Sequence, residues 1–373
     1  MKIIAINQYY WRRYHFVQVK TDEGIDGFGE ATLRVKQPTI AAAIDILAKR
    51  LIGQDVFNQE WNFNKFFGYD RWRNGVVMNT ALAAVEVAIW DAIGKRLNEP
   101  VCNLFGGKVR DEVPLYANGW SNANDTWDET DAKAKKLLGM GFRSFKGSPL
   151  PWPPYDDPNR NVVTRKAVDQ AIDRIGLWRD ALGPDTEICI ELHGRLDYDL
   201  ALRFMHGVEC FNPYFVEEPL IADDVRGYKK LSENTSVPLA AGERLFTRWG
   251  HRQLLEDRVL RVAQPDFAHC CGLVEAKKMA ANAEVFGVQI SPHNSNSPLS
   301  TMAAVHIDAT LPNFYKQEYI VVNMELDSII NTVPMTIKNG CVSLADAVPG
   351  IGLIPNLDVL SNQPAPESNL QDW

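Results

Sequence analysis

The chain has 373 residues, of which 46% are hydrophobic and 23% are charged. This composition is typical of a globular protein and excludes a disordered chain, a collagen-like repeat and a small disulfide-rich domain. The formal net charge of −8, with no basic run, argues against a nucleic-acid-binding protein and against binding to an anionic membrane.

The N-terminal part predicts strands followed by helices. Alternating β-forming residues predict a strand over 15–20, and a second strand over 25–31 follows a turn at 21–24. Apolar residues at helical spacing predict a helix over 39–51, and an Ala-rich, almost wholly apolar segment predicts a buried helix over 78–97. Strands and helices in separate runs are typical of an α+β domain.

From residue 113 onwards, predicted strands and helices alternate. The predicted strands cover residues 113–117, 141–146, 187–192, 214–217, 238–241, 261–263 and 288–290. The predicted helices between and after them cover residues 128–140, 164–182, 199–209, 228–231, 249–256, 273–286 and 300–310. The repeat of about 25 to 30 residues is that of a (β/α) barrel. A doubly wound open sheet would alternate as well, but the chain has neither a dinucleotide-binding G-x-G-x-x-G nor a P-loop.

The alternation fades after about residue 330, and the segment 349–355 reads as a loop. We therefore predict an α+β domain over 1–112 and a (β/α) barrel with the catalytic site over 113–330. The C-terminal segment 331–373 is predicted to return to the N-terminal domain or to run over the surface.

Cysteine use and the N-terminus bear on the cellular compartment. The six cysteines are scattered and none forms a C-x-x-C pair, so neither a zinc ribbon nor a thioredoxin-type redox motif is expected. A chain of this size does not need disulfides, and a cytoplasmic location is the simplest expectation. The N-terminal apolar run is too short for a signal peptide, and no uninterrupted apolar stretch of about 18 residues predicts a membrane span.

Three glutamates follow predicted strands at equal spacing. Glu191, Glu217 and Glu243 lie 26 residues apart, about the length of one βα unit. We therefore expect their carboxylates side by side at the carboxyl ends of adjacent strands, the face of a barrel that holds active sites. Such carboxylates repel one another unless a cation neutralises them, and ligation by oxygen alone favours Mg²⁺ over zinc. One glutamate alone would more simply be a helix cap or a surface charge, whereas three at equal spacing favour a metal site.

An aspartate and a histidine follow the next two predicted strands. Asp266 and His293 lie 27 residues apart, again one βα unit. A carboxylate beside an imidazole fixes its tautomer and raises its basicity, so His293 is a candidate general base. A loop histidine that hydrogen-bonds to the backbone is the alternative, and the matching register of Asp266 favours the base.

Further polar residues are predicted at the same face. His193 lies two residues after Glu191, hence on the same side, and could protonate a leaving group; a surface histidine near a turn is the alternative. The charge of Lys146 could serve the substrate carboxylate or the base function, and Glu318 could hydrogen-bond a developing oxyanion, although structural roles are equally open for both. Three neighbouring residues are predicted to bind the substrate: Arg195, Ser148 and Glu218, the last with a supporting role for Glu217 as the alternative.

Several motifs together carry a family resemblance over nearly the whole chain. They are T-D-E-G-I-D-G-F-G-E-A at 21–31, A-I-W-D-A-I-G-K at 88–95, L-F-G-G-K-V-R at 104–110, E-L-H-G-R, V-E-E-P-L, V-P-L-A-A-G-E-R-L-F-T-R, Q-P-D-F-A-H and S-P-H. With these motifs the chain resembles the mandelate racemase subgroup of the enolase superfamily, and most of all its acid-sugar dehydratases of the galactonate dehydratase type.

The resemblance implies an α/β fold, a modified (β/α)₇β TIM-like barrel with an N-terminal α+β capping domain that the C-terminal segment completes. It implies that Glu191, Glu217 and Glu243 bind Mg²⁺. It also implies a base dyad of His293 with Asp266, His193 as the acid, and Glu318 near the enediolate.

The sequence departs from the family pattern at two places. The first metal ligand is usually aspartate in these enzymes, and here it is Glu191. The second barrel strand ends in K-G-S at 146–148, where racemases have K-x-K and galactonate dehydratase has K-x-N. The missing second lysine argues against a two-base racemase, and the missing asparagine leaves galactonate itself open as the substrate.

The function that the resemblance implies is Mg²⁺-dependent dehydration of an aldonate to a 2-keto-3-deoxy sugar acid. Epimerisation or cycloisomerisation through the same enediolate, without loss of water, is an alternative. A non-catalytic binder of Mg²⁺ and sugar acids is a second alternative, against which the His–Asp pair argues. The expected partner is a small acid sugar rather than nucleic acid or a membrane, and a homo-oligomer is expected by analogy with the family.

Overall fold

A computed structural model of the chain describes residues 1–68, 71–73, 75–153, 157–159 and 161–360. In these residues the strands form a three-stranded sheet and a ten-stranded sheet. The smaller sheet belongs to the N-terminal part, and the larger one contains the parallel strands of the barrel.

The N-terminal part is an antiparallel sheet packed on helices. The elements are β1 (Ile3–Trp11), β2 (Tyr14–Thr21), β3 (Gly27–Glu30), α1 (Gln37–Leu51), α2 (Gln59–Phe63), α3 (Val76–Leu97) and α4 (Val101–Leu104). The strands pair in the order β1-β2-β3, and a π-helical turn over Asn64–Gly68 continues α2. Strands and helices in separate runs match the α+β arrangement predicted for this part.

Helix α3 is the core of this part. It lies so close to β3 that a Cβ atom built on Gly29 would be 2.1 Å from the Ala84 carbonyl oxygen. Among the described residues α3 alone is long and apolar enough to cross a membrane, yet 78% of its most apolar 18-residue window is buried in the protein. It is therefore the buried core helix that its Ala-rich sequence predicts.

The barrel consists of eight parallel strands that alternate with seven helices. They are β4 (Glu112–Asn118), α5 (Trp127–Gly139), β5 (Ser144–Gly147), α6 (Arg165–Leu182), β6 (Glu187–Glu191), α7 (Tyr198–Val208), β7 (Phe215–Glu217), α8 (Val225–Ser232), β8 (Leu239–Ala241), α9 (Thr247–Glu256), β9 (Val262–Ala263), α10 (Leu273–Val285), β10 (Gln289–Ile290), α11 (Pro298–Asp308) and β11 (Gln317–Ile320). Strands β4 to β10 pair in chain order, and β11 pairs with β4. An isolated parallel bridge between Ile290 and Phe314 joins β10 to the residues that lead into β11.

This architecture confirms the predicted TIM-like (β/α)₇β fold. The predicted strands and helices from 113 to 310 are present, with ends that agree within about three residues. Strand β11 was not predicted as a strand.

The segment after the barrel first extends the large sheet and then reaches the N-terminal part. Its elements are α12 (Met324–Ile330), β12 (Ile337–Lys338), β13 (Cys341–Ser343) and α13 (Leu357–Leu360). Strand β13 pairs antiparallel with β4, after a tight turn in which Asn339 and Gly340 both have positive φ. Further on, the Ile351 N–H donates to Asp91 of α3 at 2.9 Å.

Two contacts fix the N-terminal part over the carboxyl ends of the barrel strands. Glu30 at the end of β3 accepts hydrogen bonds from the backbone N–H groups of Ser297 and Ser300, at 3.0 and 3.2 Å, at the start of α11. The Tyr14 hydroxyl donates to Asn323, just after β11, at 2.9 Å. Because α11 and Asn323 follow β10 and β11, the N-terminal part caps the mouth of the barrel.

We predict that Gly29→Ala lowers the free energy of unfolding by about 1–3 kcal/mol or more, because the added methyl overlaps backbone of α3. Gly139→Ala at the end of α5 is the matched control: an added Cβ there meets nothing within 4 Å, and alanine is a better helix former than glycine. Urea unfolding of both variants measures the difference, and equal stability would contradict the close packing of β3 on α3.

Candidate active site

Three glutamates converge at the barrel mouth. Glu191 and Glu217 are the last residues of β6 and β7 and lie opposite each other in the strand register. Glu243 follows β8 by two residues. One carboxylate oxygen of each lies within 4.8 Å of the other two, so the equal spacing in the sequence does become a cluster in space.

The donor set of this carboxylate cluster fits a hard divalent cation. Among the described residues, the buried atoms Oε2 of Glu191 and Oε1 of Glu217 have no hydrogen-bond partner. Burial, together with Glu217 and Glu243, raises the pKa of Glu191 well above its usual range. Since buried polar atoms are almost always satisfied, a cation bound by these oxygens explains the arrangement better than a set of bare carboxylates.

Lys146 on β5 supplies a buried positive charge beside the cluster. Its Nζ lies 2.7 Å from Glu217, 2.8 Å from Glu318 and 4.0 Å from Glu191, and only 1% of the residue is exposed. Burial by itself lowers the pKa of Lys146, but these carboxylates outweigh it and hold the pKa well above its usual value. Lys146 therefore keeps its proton, which favours an electrostatic role over that of a base.

His293 lies between two carboxylates. Its Nδ1 is 2.7 Å from Asp266 Oδ2, and its Nε2 is 2.9 Å from Glu243 Oε2. Burial lowers the pKa of His293, but the opposite effect of Glu243, Glu318 and Asp266 is larger. The pKa of His293 therefore lies well above its usual value. The predicted pairing of His293 with Asp266 is thus present, and Nε2 points towards the carboxylate cluster.

Glu318 on β11 is held from three sides. Oε1 accepts hydrogen bonds from the Asn118 side chain and from Lys146, and Oε2 accepts one from the backbone N–H of Asn294 at 2.8 Å. Asn294 directly follows His293. The Glu318 carboxylate is therefore fixed beside His293, at the same mouth of the barrel.

His193 lies at the edge of the cluster. Its Nδ1 is 3.9 Å from Glu191 Oε1, its ring centroid is 5.1 Å from that of Trp152, and 31% of its side chain is exposed. Burial lowers its pKa to about 4, against the opposing effect of Glu243 and Glu217. The imidazole of the ligand-free protein is therefore neutral at pH 7.

The three residues predicted to bind substrate have different surroundings. Glu218 is fully buried and forms an ion pair with Arg244; burial and Glu243 raise its pKa to about 8. The ion pair with Arg244 fits the alternative, supporting role of Glu218. The Arg195 guanidinium lies 4.3 Å from the Trp152 ring centroid, near His193. The Ser148 hydroxyl donates to the Leu150 carbonyl at 3.4 Å.

Sequence reasoning missed three polar neighbours of the carboxylates. Gln264 donates to Glu217 at 2.8 Å, Asn118 donates to Glu318, and Arg244 pairs with Glu218. Gln264 directly precedes Pro265-Asp266 and Arg244 directly follows Glu243, so their positions at strand ends could have identified them. Asn118 ends the first barrel strand, far from Glu318 in sequence, and nothing in the local pattern indicates that contact.

Family comparisons cover most of the chain. Residues 3–106 match the N-terminal domain of mandelate racemase and muconate lactonizing enzyme, and residues 129–359 match the enolase C-terminal domain-like family. The solved structure of an enolase superfamily member from Salmonella Typhimurium is 28% identical, with a TM-score of 0.89 over 97% of this chain and 98% of that one.

Curated relatives agree with this assignment. The D-galactonate dehydratase of Pectobacterium atrosepticum is 33% identical over 100% of this chain and 96% of its own length. The D-galactonate dehydratase of Klebsiella pneumoniae is 36% identical over 85% of this chain and 81% of its own length. Since both family domains and full-length relatives match, the chain belongs to the enolase superfamily, in its mandelate racemase and muconate lactonizing enzyme group.

Proposed function

We propose that the protein is a Mg²⁺-dependent acid-sugar dehydratase that acts on an aldonate. The observation that carries the proposal is the geometry of His293. Its Nδ1 lies 2.7 Å from Asp266, and its Nε2 lies 2.9 Å from Glu243, one of the three clustered carboxylates. Two relatives that align over most of the chain are D-galactonate dehydratases.

Glu191, Glu217 and Glu243 would hold the ion, because their oxygens converge and two of them lack donors. Bound there, Mg²⁺ would supply positive charge for the substrate carboxylate and for the negative charge that develops after proton removal. Side chains of the protein carry out the proton transfers.

Proton removal from C2 falls to His293. Asp266 accepts from Nδ1 and thereby leaves Nε2 as the nitrogen that takes up the proton. The electron pair of the C2–H bond then moves into the carboxylate and gives an enediolate. The buried ammonium of Lys146 and the adjacent Glu318 lie where they can stabilise the added charge.

Loss of the 3-hydroxyl completes the reaction. His193 lies beside Glu191 and towards solvent, and it would donate a proton to the departing hydroxyl, which leaves as water. The resulting enol tautomerises to the 2-keto-3-deoxy acid. Burial lowers the pKa of His193, and the negative charge of a bound substrate would help this imidazole to hold the proton that it delivers.

A cytoplasmic location and a homo-oligomeric state belong to the same proposal. They are supported by analogy with metabolic enzymes of the family and by the scattered, unpaired cysteines.

The activity test is a screen of mono- and di-acid sugars with Mg²⁺, read out as 2-keto-3-deoxy product and by product mass. Loss of water from an aldonate is expected. Products of unchanged mass would replace dehydration with epimerisation or cycloisomerisation, and tight binding without proton exchange or turnover would replace the enzyme with a binding protein.

Glu217→Gln is expected to abolish Mg²⁺ binding and turnover, because the cluster loses a charge at its most buried position. Isothermal titration calorimetry with Mg²⁺ measures the affinity, and thermal unfolding with and without Mg²⁺ measures the stabilisation on binding. Glu233→Gln, at an exposed position after α8, is the control and should keep the Mg²⁺ affinity and the turnover of the wild type. Unchanged Mg²⁺ affinity in Glu217→Gln would place the ion elsewhere.

His293→Asn is expected to lower exchange of the substrate C2 proton with solvent deuterium by about 10²- to 10⁴-fold, because the general base is lost. ¹H NMR of the substrate in D₂O measures the exchange. His206→Asn at the exposed end of α7 is the control. Exchange at the wild-type rate would assign the base to another residue.

His193→Asn is expected to impair dehydration more than C2 exchange, since it removes the acid and leaves the base in place. The ratio of the two rates, measured on one sample by NMR, decides the role. Equal losses in both rates would reject a role restricted to the departing hydroxyl.

A further inference from the structure

His269 lies behind the base dyad and has no part in the mechanism above. It follows Asp266 by three residues in the loop after β9, and 8% of the residue is exposed. Its Nε2 lies 3.6 Å from Asp266 Oδ2, the same oxygen that meets His293 Nδ1 at 2.7 Å. The other oxygen of Asp266, Oδ1, accepts a hydrogen bond from the Ala268 N–H at 2.8 Å. The Asp266 carboxylate is thus held through both of its oxygens.

The far side of His269 contacts the capping domain. Its Nδ1 lies 2.8 Å from the hydroxyl of Thr80 on α3, and that hydroxyl lies 2.6 Å from the carbonyl oxygen of Val76. The Thr80 hydroxyl has one proton, and both the Val76 carbonyl oxygen and His269 Nδ1 lie within its reach. The contact with Nδ1 joins the loop that carries His269 to α3.

The opposite nitrogen of His269 faces the Asp266 carboxylate. An N–H on Nε2 is favourable in this position, whereas a lone pair there would be repelled by the carboxylate. The pKa of Asp266 agrees with this contact: burial raises it, but His269 and His293 outweigh burial and lower it.

Helix α3 holds the same loop at a second point. Glu86, six residues after Thr80, accepts from the backbone N–H groups of Leu273 at 2.8 Å and Val274 at 3.1 Å, at the start of α10. The loop that carries Asp266 is thus fixed to the capping helix at its middle, through His269, and at its end.

We propose that His269 is a positioning residue for the proton-abstraction step, which holds Asp266 and hence His293 in place and links this dyad to the capping domain through Thr80. The role rests on the proposed function, since His293 must act as the base. A histidine that only fills space in the loop is the competing explanation, and it predicts changes in stability without changes in the dyad.

Three variants separate the two explanations. His269→Gln removes the imidazole, Thr80→Val removes the hydroxyl at nearly constant volume, and Thr80→Ser restores it. Thr130→Val is the matched control, because Thr130 on α5 is equally buried and makes the same bond to the carbonyl four residues earlier, without a histidine partner.

The first readout is ¹⁵N NMR of the seven histidines at pH 7.5, assigned with the variants, and it needs no turnover. We expect Nε2 of His269, which faces Asp266, to be protonated in the wild type. Thr80→Val and His269→Gln should shift the His293 Nδ1 resonance, while Thr130→Val should leave it unchanged. An unprotonated Nε2 of His269, or a His293 resonance that does not change in Thr80→Val, overturns the proposal whether or not a substrate is found.

The second readout is the kinetics of the Mg²⁺-loaded protein with the acid sugar that the screen identifies. We expect a fall in kcat for C2 exchange of about 10- to 100-fold in His269→Gln, a smaller fall in Thr80→Val, and recovery in Thr80→Ser. KM and Mg²⁺ affinity should change little. The proposal is also overturned if the fall in kcat only follows the loss of stability. It is overturned as well if kcat falls as much in Thr130→Val as in Thr80→Val. If His269→Gln does not fold, the Thr80 pair decides the question.

Discussion

The site depends on one electrostatic constraint, the convergence of three carboxylates at the mouth of a barrel. Parallel strands of equal repeat length place Glu191, Glu217 and Glu243 next to one another whatever their mutual repulsion. Lys146 offsets part of this charge but shares its ammonium with Glu318. The remaining negative charge defines the site, because it favours a bound cation and raises the pKa values of Glu191, Lys146 and His293.

The same constraint acts on His293, the proposed base. While Glu243 accepts a hydrogen bond from His293 Nε2 at 2.9 Å, this nitrogen carries a proton and cannot take up another. A cation held by Glu243 would compete for the same carboxylate and would favour loss of that proton. In the proposed reaction, the contact between Glu243 and His293 would thus link the filling of the carboxylate cluster to the activity of His293.

The sequence predicts those features that the barrel repeat controls. The three glutamates, Asp266 and His293 sit at strand ends one βα unit apart, so spacing alone brings them to one face. Contacts between residues far apart in the chain could not be predicted from the sequence. Asn118 contacts Glu318 only because β11 returns to pair with β4. Strands β12 and β13 were not predicted either, since they lie after residue 330, where the alternation of strands and helices that identified the equally short β9 and β10 has ended.

The substitution of glutamate for the aspartate usual in the family has a local explanation. Glu191 Oε1 accepts a hydrogen bond from the backbone N–H of His193, whose positive φ of 54° bends the chain directly after the strand. The longer side chain lets the carboxylate accept this N–H and still belong to the cluster with Glu217 and Glu243, while Oε2 has no hydrogen-bond partner among the described residues. Glu191 is thus held by its own loop. This hydrogen bond joins the proposed metal ligand to the backbone of the proposed acid, so we expect a change at Glu191 to alter the position of His193 as well.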